Sequence, residues 1–194
     1  DLCEIDSKAI NKKVLEGIIF SGACDCLEGN RAAKIKSIEI AFPDRYSICI
    51  INIDKFKLLK KNNYQKIIKG FMYDAYTFNQ NACNSPHFVF WVGKKNNNFQ
   101  QRFWNELNNI AKEKFVLNEN VAVNKYLNLI TNIINQKDFQ DIKFFKNNLY
   151  VVNPNKNIKD IEDIRGLSGI FFQKNIRNLS ELKKFITKKC QTVT

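Results

Sequence analysis

The stretch YSICIINI, residues 46–53, decides the fold. It is a continuous apolar run rich in β-branched residues, the composition of a strand covered on both faces. HFVFWV, residues 87–92, repeats the pattern and is stopped by Gly93. Between the two, Tyr64, Ile67, Ile68, Phe71, Met72 and Ala75 recur at i, i+3, i+4 and i+7, which predicts an amphipathic helix. Phe99, Phe103, Leu107 and Ile110 mark a second helix, and Leu127, Ile130 and Ile134 a third. LYVV (149–152) and GIFF (169–172) read as short strands. Asn178, with Glu181 three residues on, predicts the cap of a last helix through Leu182, Phe185 and Ile186. Strands alternating with helices predict an α/β (or α+β) domain over residues 43–194, a small mixed sheet covered by helices. The Asn/Lys-rich stretches at 94–98 and 153–160 read as loops within it.

Composition sets the outer limits. Of 194 residues, 44% are hydrophobic and 16 are Phe, enough for a packed core and too many for global disorder. No run approaches the roughly 18 consecutive apolar residues of a membrane span. Residues 1–30 also lack a secretory layout, so a soluble cytoplasmic chain with no membrane partner is expected. The chain starts at Asp1 and its only Met is Met72, so a processed, trimmed or excised piece is expected. Lys and Arg number 31 against 19 Asp and Glu, a formal net charge of +12. That excess favours an anionic partner, nucleic acid being the commonest, although Lys-rich coding bias would give the same surface.

Metal and cofactor are not expected. The six cysteines form no disulfide framework: Cys49 sits inside an apolar strand, and Cys24 and Cys26 form C-x-C, without the two-residue gap of a zinc knuckle. His87, the single histidine, follows Pro86 and reads as a turn residue at a strand start. Arg165-Gly166-Leu167-Ser168-Gly169 offers a Gly-x-x-Gly turn, but no Lys-Ser/Thr follows, so it reads as a turn into GIFF and not as a P-loop. Trp91 and Trp104 fall on core positions.

Residues 1–42 read as a separate helical unit. Ile10, Val14 and Ile18 make one stripe, Ser21-Gly22-Ala23 a break, and Ala32, Ile35 and Ile38 a second helical face. A small-residue turn between two helices can bring backbone N–H groups against a phosphate, with Lys12, Lys13 and Arg31 adding charge. The same spacing fits a plain helical corner in which Gly22 caps a helix.

The residues themselves carry a resemblance. Ile10-Asn11-Lys12-Lys13-Val14-Leu15-Glu16-Gly17-Ile18-Ile19-Phe20-Ser21-Gly22-Ala23-Cys24-Asp25, followed by Asn30-Arg31-Ala32, resembles the helix-hairpin-helix region of the bacterial DNA polymerase III alpha subunit. The match ends near Phe42. Gly17 departs from it, at a cost of about 1 kcal/mol in a helix interior, and Cys24 replaces the usual Phe. The resemblance implies sequence-independent DNA binding by Lys12, Lys13, Gly22, Ala23 and Arg31, and a partner in a replication complex. It implies no polymerase activity, because the family's metal-binding aspartates lie outside the matching segment.

Two other readings stay open. A metal-dependent nuclease would need an acid followed by an acid-x-Lys pair. Asp54-Lys55-Phe56-Lys57 has Phe56 where the lysine belongs, leaving Glu39 and Asp44 as a degenerate set. A non-enzymatic interaction module would need none of these residues.

Overall fold

In the computed structural model, which describes residues 17–21, 38–42, 45–115, 117–136, 139–155, 158 and 161–194, the chain divides into two units, Asp1–Arg45 and Tyr46–Thr194. In the first, β1 (Gly17–Ser21) and β2 (Ile38–Phe42) pair in parallel, with Gly17 opposite Ile38 and Ser21 opposite Phe42. The expected helical hairpin is therefore wrong at both described segments. Adjacent β-branched Ile18 and Ile19 with Phe20 favour a pleated backbone, and Gly17 weakens a helix where the alternative needs it least. Lys12, Lys13, Gly22, Ala23 and Arg31 lie outside the described residues.

The second unit runs β3 (Tyr46–Asn52), α1 (Ile53–Lys57), α2 (Lys61–Tyr76), β4 (Pro86–Val92), α3 (Asn97–Lys114), α4 (Glu119–Gln136), β5 (Phe139–Phe145), β6 (Leu149–Pro154), β7 (Ile170–Ile176), a 3-10 turn (Leu179–Lys184) and β8 (Cys190–Val193). Six strands form one sheet in the order β5-β6-β7-β4-β3-β8. Its members are parallel except β5, which pairs antiparallel with β6 at the edge. The expected α/β class is the one observed. The last helix is instead a six-residue 3-10 turn, and β8, whose sequence CQTV has no apolar run, could not be read from pattern.

Alternation along the strands explains their continuous apolar runs. Cys49, Ile51, Val89, Trp91, Val151 and Phe171 point to the side covered by α2 and α3, where they meet Ile68, Phe71, Phe103 and Trp104. Ile48, Phe88, Phe90, Val152 and Phe172 point the other way, against Ile161, Ile164, Leu182, Phe185 and Leu129 of α4. Trp91 stands edge-on to Phe103 and Trp104, with centroids 5.3 and 6.0 Å apart, a geometry the ring quadrupoles favour.

Helix α4 has the expected type but not the expected buried face. Leu127 and Ile134 are 55% and 62% exposed, whereas Lys125, Leu129 and Asn132 are buried. Polar partners make that face possible. Lys125 Nζ donates to Asn147 O at 2.8 Å and lies 4.1 Å from the Tyr150 ring centroid. Asn132 Nδ2 donates to Arg165 O at 3.0 Å. No helix among the described residues is long and apolar enough to cross a membrane.

Candidate functional site

In open parallel sheets, ligands collect beyond the carboxyl ends of the strands. At that edge β7 reads IFFQKNI, and its alternation places Gln173 on the Phe171 side, facing the tryptophans. A buried amide there needs partners, and it has them. Gln173, 6% exposed, accepts through Oε1 from Trp91 Nε1 at 2.8 Å and from Trp104 Nε1 at 2.7 Å. Its Nε2 donates to Asn153 Oδ1 at 2.9 Å. Three of the amide's four hydrogen-bonding positions are thus used, and the side chain has one possible orientation.

Around this anchor lies a cavity of about 570 Å³ between the amino end of α3, the ends of β6 and β7 and the start of β5. Gln100, also buried, donates to Asn175 Oδ1 at 2.7 Å, and Lys143 Nζ donates to Gln101 Oε1 at 3.2 Å. Lys95, Lys143 and Lys174 line the cavity against a single acid, Asp141. Burial holds the Lys174 ammonium below its ordinary value, with nearby Lys184 acting the same way and Glu181 opposing. Its Nζ reaches Asn155 O at 3.5 Å. Fixed amides, surplus positive charge and the amino end of an 18-residue helix suit an anionic, hydrogen-bonding ligand.

Two of the described cysteines are poorly placed as nucleophiles. Burial, with Asp74 nearby, pushes the Cys49 thiol up to about 12, and burial also raises Cys190, so neither is a ready thiolate. Cys83 is exposed, and Cys3, Cys24 and Cys26 lie outside the described residues. Among the described residues, no group of three or more His, Cys, Asp or Glu could hold a metal ion. Of the acids in the nuclease reading, Asp54 sits in the first turn of α1, and the side chains of Glu39 and Asp44 lie outside those described.

The Gly-x-x-Gly turn is committed to the fold. Gly166 N–H donates to His87 Nδ1 at 3.1 Å, Ser168 N–H to Asn79 O at 3.0 Å and Gly169 N–H to Gln80 Oε1 at 3.0 Å. It stands at the amino end of β7, away from the cavity. His87 lies within β4, buried, and desolvation followed by the Arg165 charge lowers its imidazole to about 3. It is a neutral acceptor and not a general base. Gln173 and Gln100 were missed by sequence reasoning. The available signal was a lone amide interrupting an apolar strand, with two tryptophans each needing an N–H partner.

A family model described as acyl-CoA reductase (LuxC) matches residues 7–139. The 1-pyrroline-5-carboxylate dehydrogenase of Thermus thermophilus superposes with a TM-score of 0.53 at 12% identity, covering 87% of this chain and 36% of that one. The gamma-glutamyl-gamma-aminobutyraldehyde dehydrogenase of Burkholderia cenocepacia gives 0.52 at 8% identity, covering 92% and 43%. The fold is therefore aldehyde-dehydrogenase-like. Two curated relatives are DNA polymerase III alpha subunits of Buchnera aphidicola. That of subspecies Acyrthosiphon pisum is 30% identical over 152 residues, 76% of this chain. That of subspecies Schizaphis graminum is 27% identical over 201 residues, 93% of this chain. The chain spans only 11% and 15% of those two proteins.

The likeness to the alpha subunit thus extends over most of the chain, but its helix-hairpin-helix part does not survive. The DNA-binding and replication reading is corrected. The matching family is a reductase family and the fold neighbours are dehydrogenases, while the presumed hairpin contains parallel strands.

Proposed function

The chain belongs to the acyl-CoA reductase (LuxC) family, and from that premise we propose that it supplies an α/β domain for the reduction of an acyl thioester. In such a reaction a hydride and a proton convert the thioester to an aldehyde and release the coenzyme thiol. The nicotinamide nucleotide that supplies the hydride, and coenzyme A itself, both carry an adenosine diphosphate portion. Among the described residues, the cavity beside Gln173 suits that portion.

The observation that carries the reading is the pairing of surplus charge with fixed amides. Lys95 and Lys143 would neutralise phosphate oxygens. Asn175 and Gln100, already bonded to each other at 2.7 Å, would present the remaining edges of their amides without reorganising. The Gln173 carboxamide, held by two indoles, keeps the floor of the cavity in place. The chain is a fraction of the length of its fold neighbours, so the residues that attack the thioester and the complete reaction belong to the same proposal. A cytoplasmic setting does too, supported by a cysteine pattern that fits neither a disulfide framework nor a zinc site.

Calorimetric titration of the purified chain with coenzyme A, NADPH and adenosine diphosphate tests the reading. Saturable binding is expected that weakens with salt and falls at least about tenfold (1.4 kcal/mol) in the double variant Lys95→Glu, Lys143→Glu. Absence of binding by all three compounds, or affinity indifferent to both lysines, would refute it.

A further inference from the structure

Helix α4 carries its strongest apolar pattern on the outside. Among the described residues twelve large hydrophobics are exposed, and four of them, Val123, Tyr126, Leu127 and Ile134, lie on this one helix. Val123, Leu127, Ile130 and Ile134 follow one another at steps of four, three and four, the spacing of a two-helix seam. Ile130 is half-buried and the other three are exposed. Phe144 of β5 is exposed too and extends the patch, since Tyr150 neighbours both its ring and Tyr126.

The inner face of α4 is polar where a core is expected. Lys125 and Asn132 are buried there, donating to Asn147 O and Arg165 O. A helix that turns a lysine inward and a stripe of leucine and isoleucine outward is disfavoured in water on both faces. Covering the stripe relieves the outer one. Charge restricts what covers it. From Glu119 to Gln136 the charged residues are Glu119, at the first position, and the buried Lys125. The stripe is flanked by Asn120, Asn124, Thr131 and Asn135. On a chain of net charge +12, such a neutral face offers nothing to a polyanion, yet lets two copies meet without opposing like charges.

The spacing is also self-complementary. Steps of four, three and four read the same in both directions along the helix. Two antiparallel copies of α4 about a twofold axis therefore set Val123 opposite Ile134 and Leu127 opposite Ile130, each contact made twice, as a closed symmetric interface requires. The exposed side chains of the patch amount to on the order of 500 Å² per copy, so two copies bury about 1,000 Å², the lower limit for a specific interface. A weak, concentration-dependent dimer follows.

We propose that the outer face of α4 is a self-association surface, on which a second copy of this chain docks antiparallel through its own α4. The stripe shares no residue with the lining of the polar cavity, so either surface could be occupied without the other.

Sedimentation velocity of the full 194-residue chain over a concentration series through the micromolar range is the test, and a monomer–dimer equilibrium is expected. Val123→Glu and Ile134→Lys should each weaken the dimer at least about tenfold, because each places an unpaired charge in the apolar seam. Neither should lower the thermal midpoint. Both positions are exposed, and an acid early in a helix or a base late in it suits the helix dipole. An equimolar mixture of the two variants should recover the association. At one end of the seam the introduced carboxylate then meets the introduced ammonium, and at the other Ile134 meets Val123. A monomer at every concentration would overturn the proposal, and its binding to uncharged phosphatidylcholine vesicles would assign the stripe to a lipid surface instead. A dimer indifferent to both variants, or a mixture that associates no better than either variant alone, would overturn it equally.

Discussion

Trp91 and Trp104 donate their indole N–H groups to one oxygen, Gln173 Oε1, at 2.8 and 2.7 Å. One residue comes from β4, one from α3 and the acceptor from β7, so this junction ties the helix layer to two adjacent strands. It also fixes the floor of the polar cavity. Stability and site geometry are thereby coupled through a single carboxamide.

Gln173→Leu should show the coupling directly. It leaves two buried indole donors without an acceptor, each costing about 1–3 kcal/mol, so a loss of about 2–6 kcal/mol is expected in urea unfolding. Combining it with Trp91→Phe should cost less than the sum of the two single changes, because one orphaned donor disappears. Strict additivity would mean that the shared oxygen does not organise the core.

Lys125 should make stability depend on pH in the alkaline direction. It is fully buried, and desolvation lowers its ammonium from 10.5 to about 7. Between these values the unfolded chain binds a proton that the folded chain does not, so stability rises with pH across the window from about 7 to 10.5. Below about 7 the full cost of the buried charge is present. Lys125→Met should stabilise the chain by about 1–4 kcal/mol near pH 7 and flatten its pH profile in that window. Denaturant titrations at several pH values measure both, and an unchanged slope in the variant would exclude Lys125 as the cause.

Gly169 and Gly70 should respond oppositely to alanine. Gly169 has φ +94, and a Cβ there would lie 2.5 Å from both Asn148 O and Tyr76 Oη. Strain and overlap together predict a loss of about 2–4 kcal/mol. Gly70→Ala meets only open space and should gain about 0.5–1 kcal/mol of helix stability. Thermal unfolding of the two variants side by side checks the sign of each.

Much of the second unit was legible because its signals are local. YSICIINI and HFVFWV carry enough β-branched and aromatic residues to specify strands, and the periodicity of Tyr64 to Ala75 specifies α2. The alternation that sorts Trp91 to one face and Phe90 to the other follows from strand geometry alone. The same reasoning failed at Gly17–Ser21, where a resemblance to a helical hairpin outweighed a β-branched pair. It also failed on α4, where apolar spacing chose the exposed face because the partners of Lys125 and Asn132 come from residues 22 and 33 positions away. The expected site residues Lys12, Lys13, Gly22, Ala23 and Arg31 fall outside the described residues.

The sequence by itself determined the class of the fold, its main strands and helices, and the two-sided burial of its sheet. These depend on the short-range periodicity of apolar residues, which the chain carries along its own length. Only the tertiary structure decided the order of the strands, the meeting of Gln173 with two tryptophans and the polar cavity at one edge. Each joins residues far apart in the chain, and a hydrogen bond or an opening between such residues exists only once packing has brought them together.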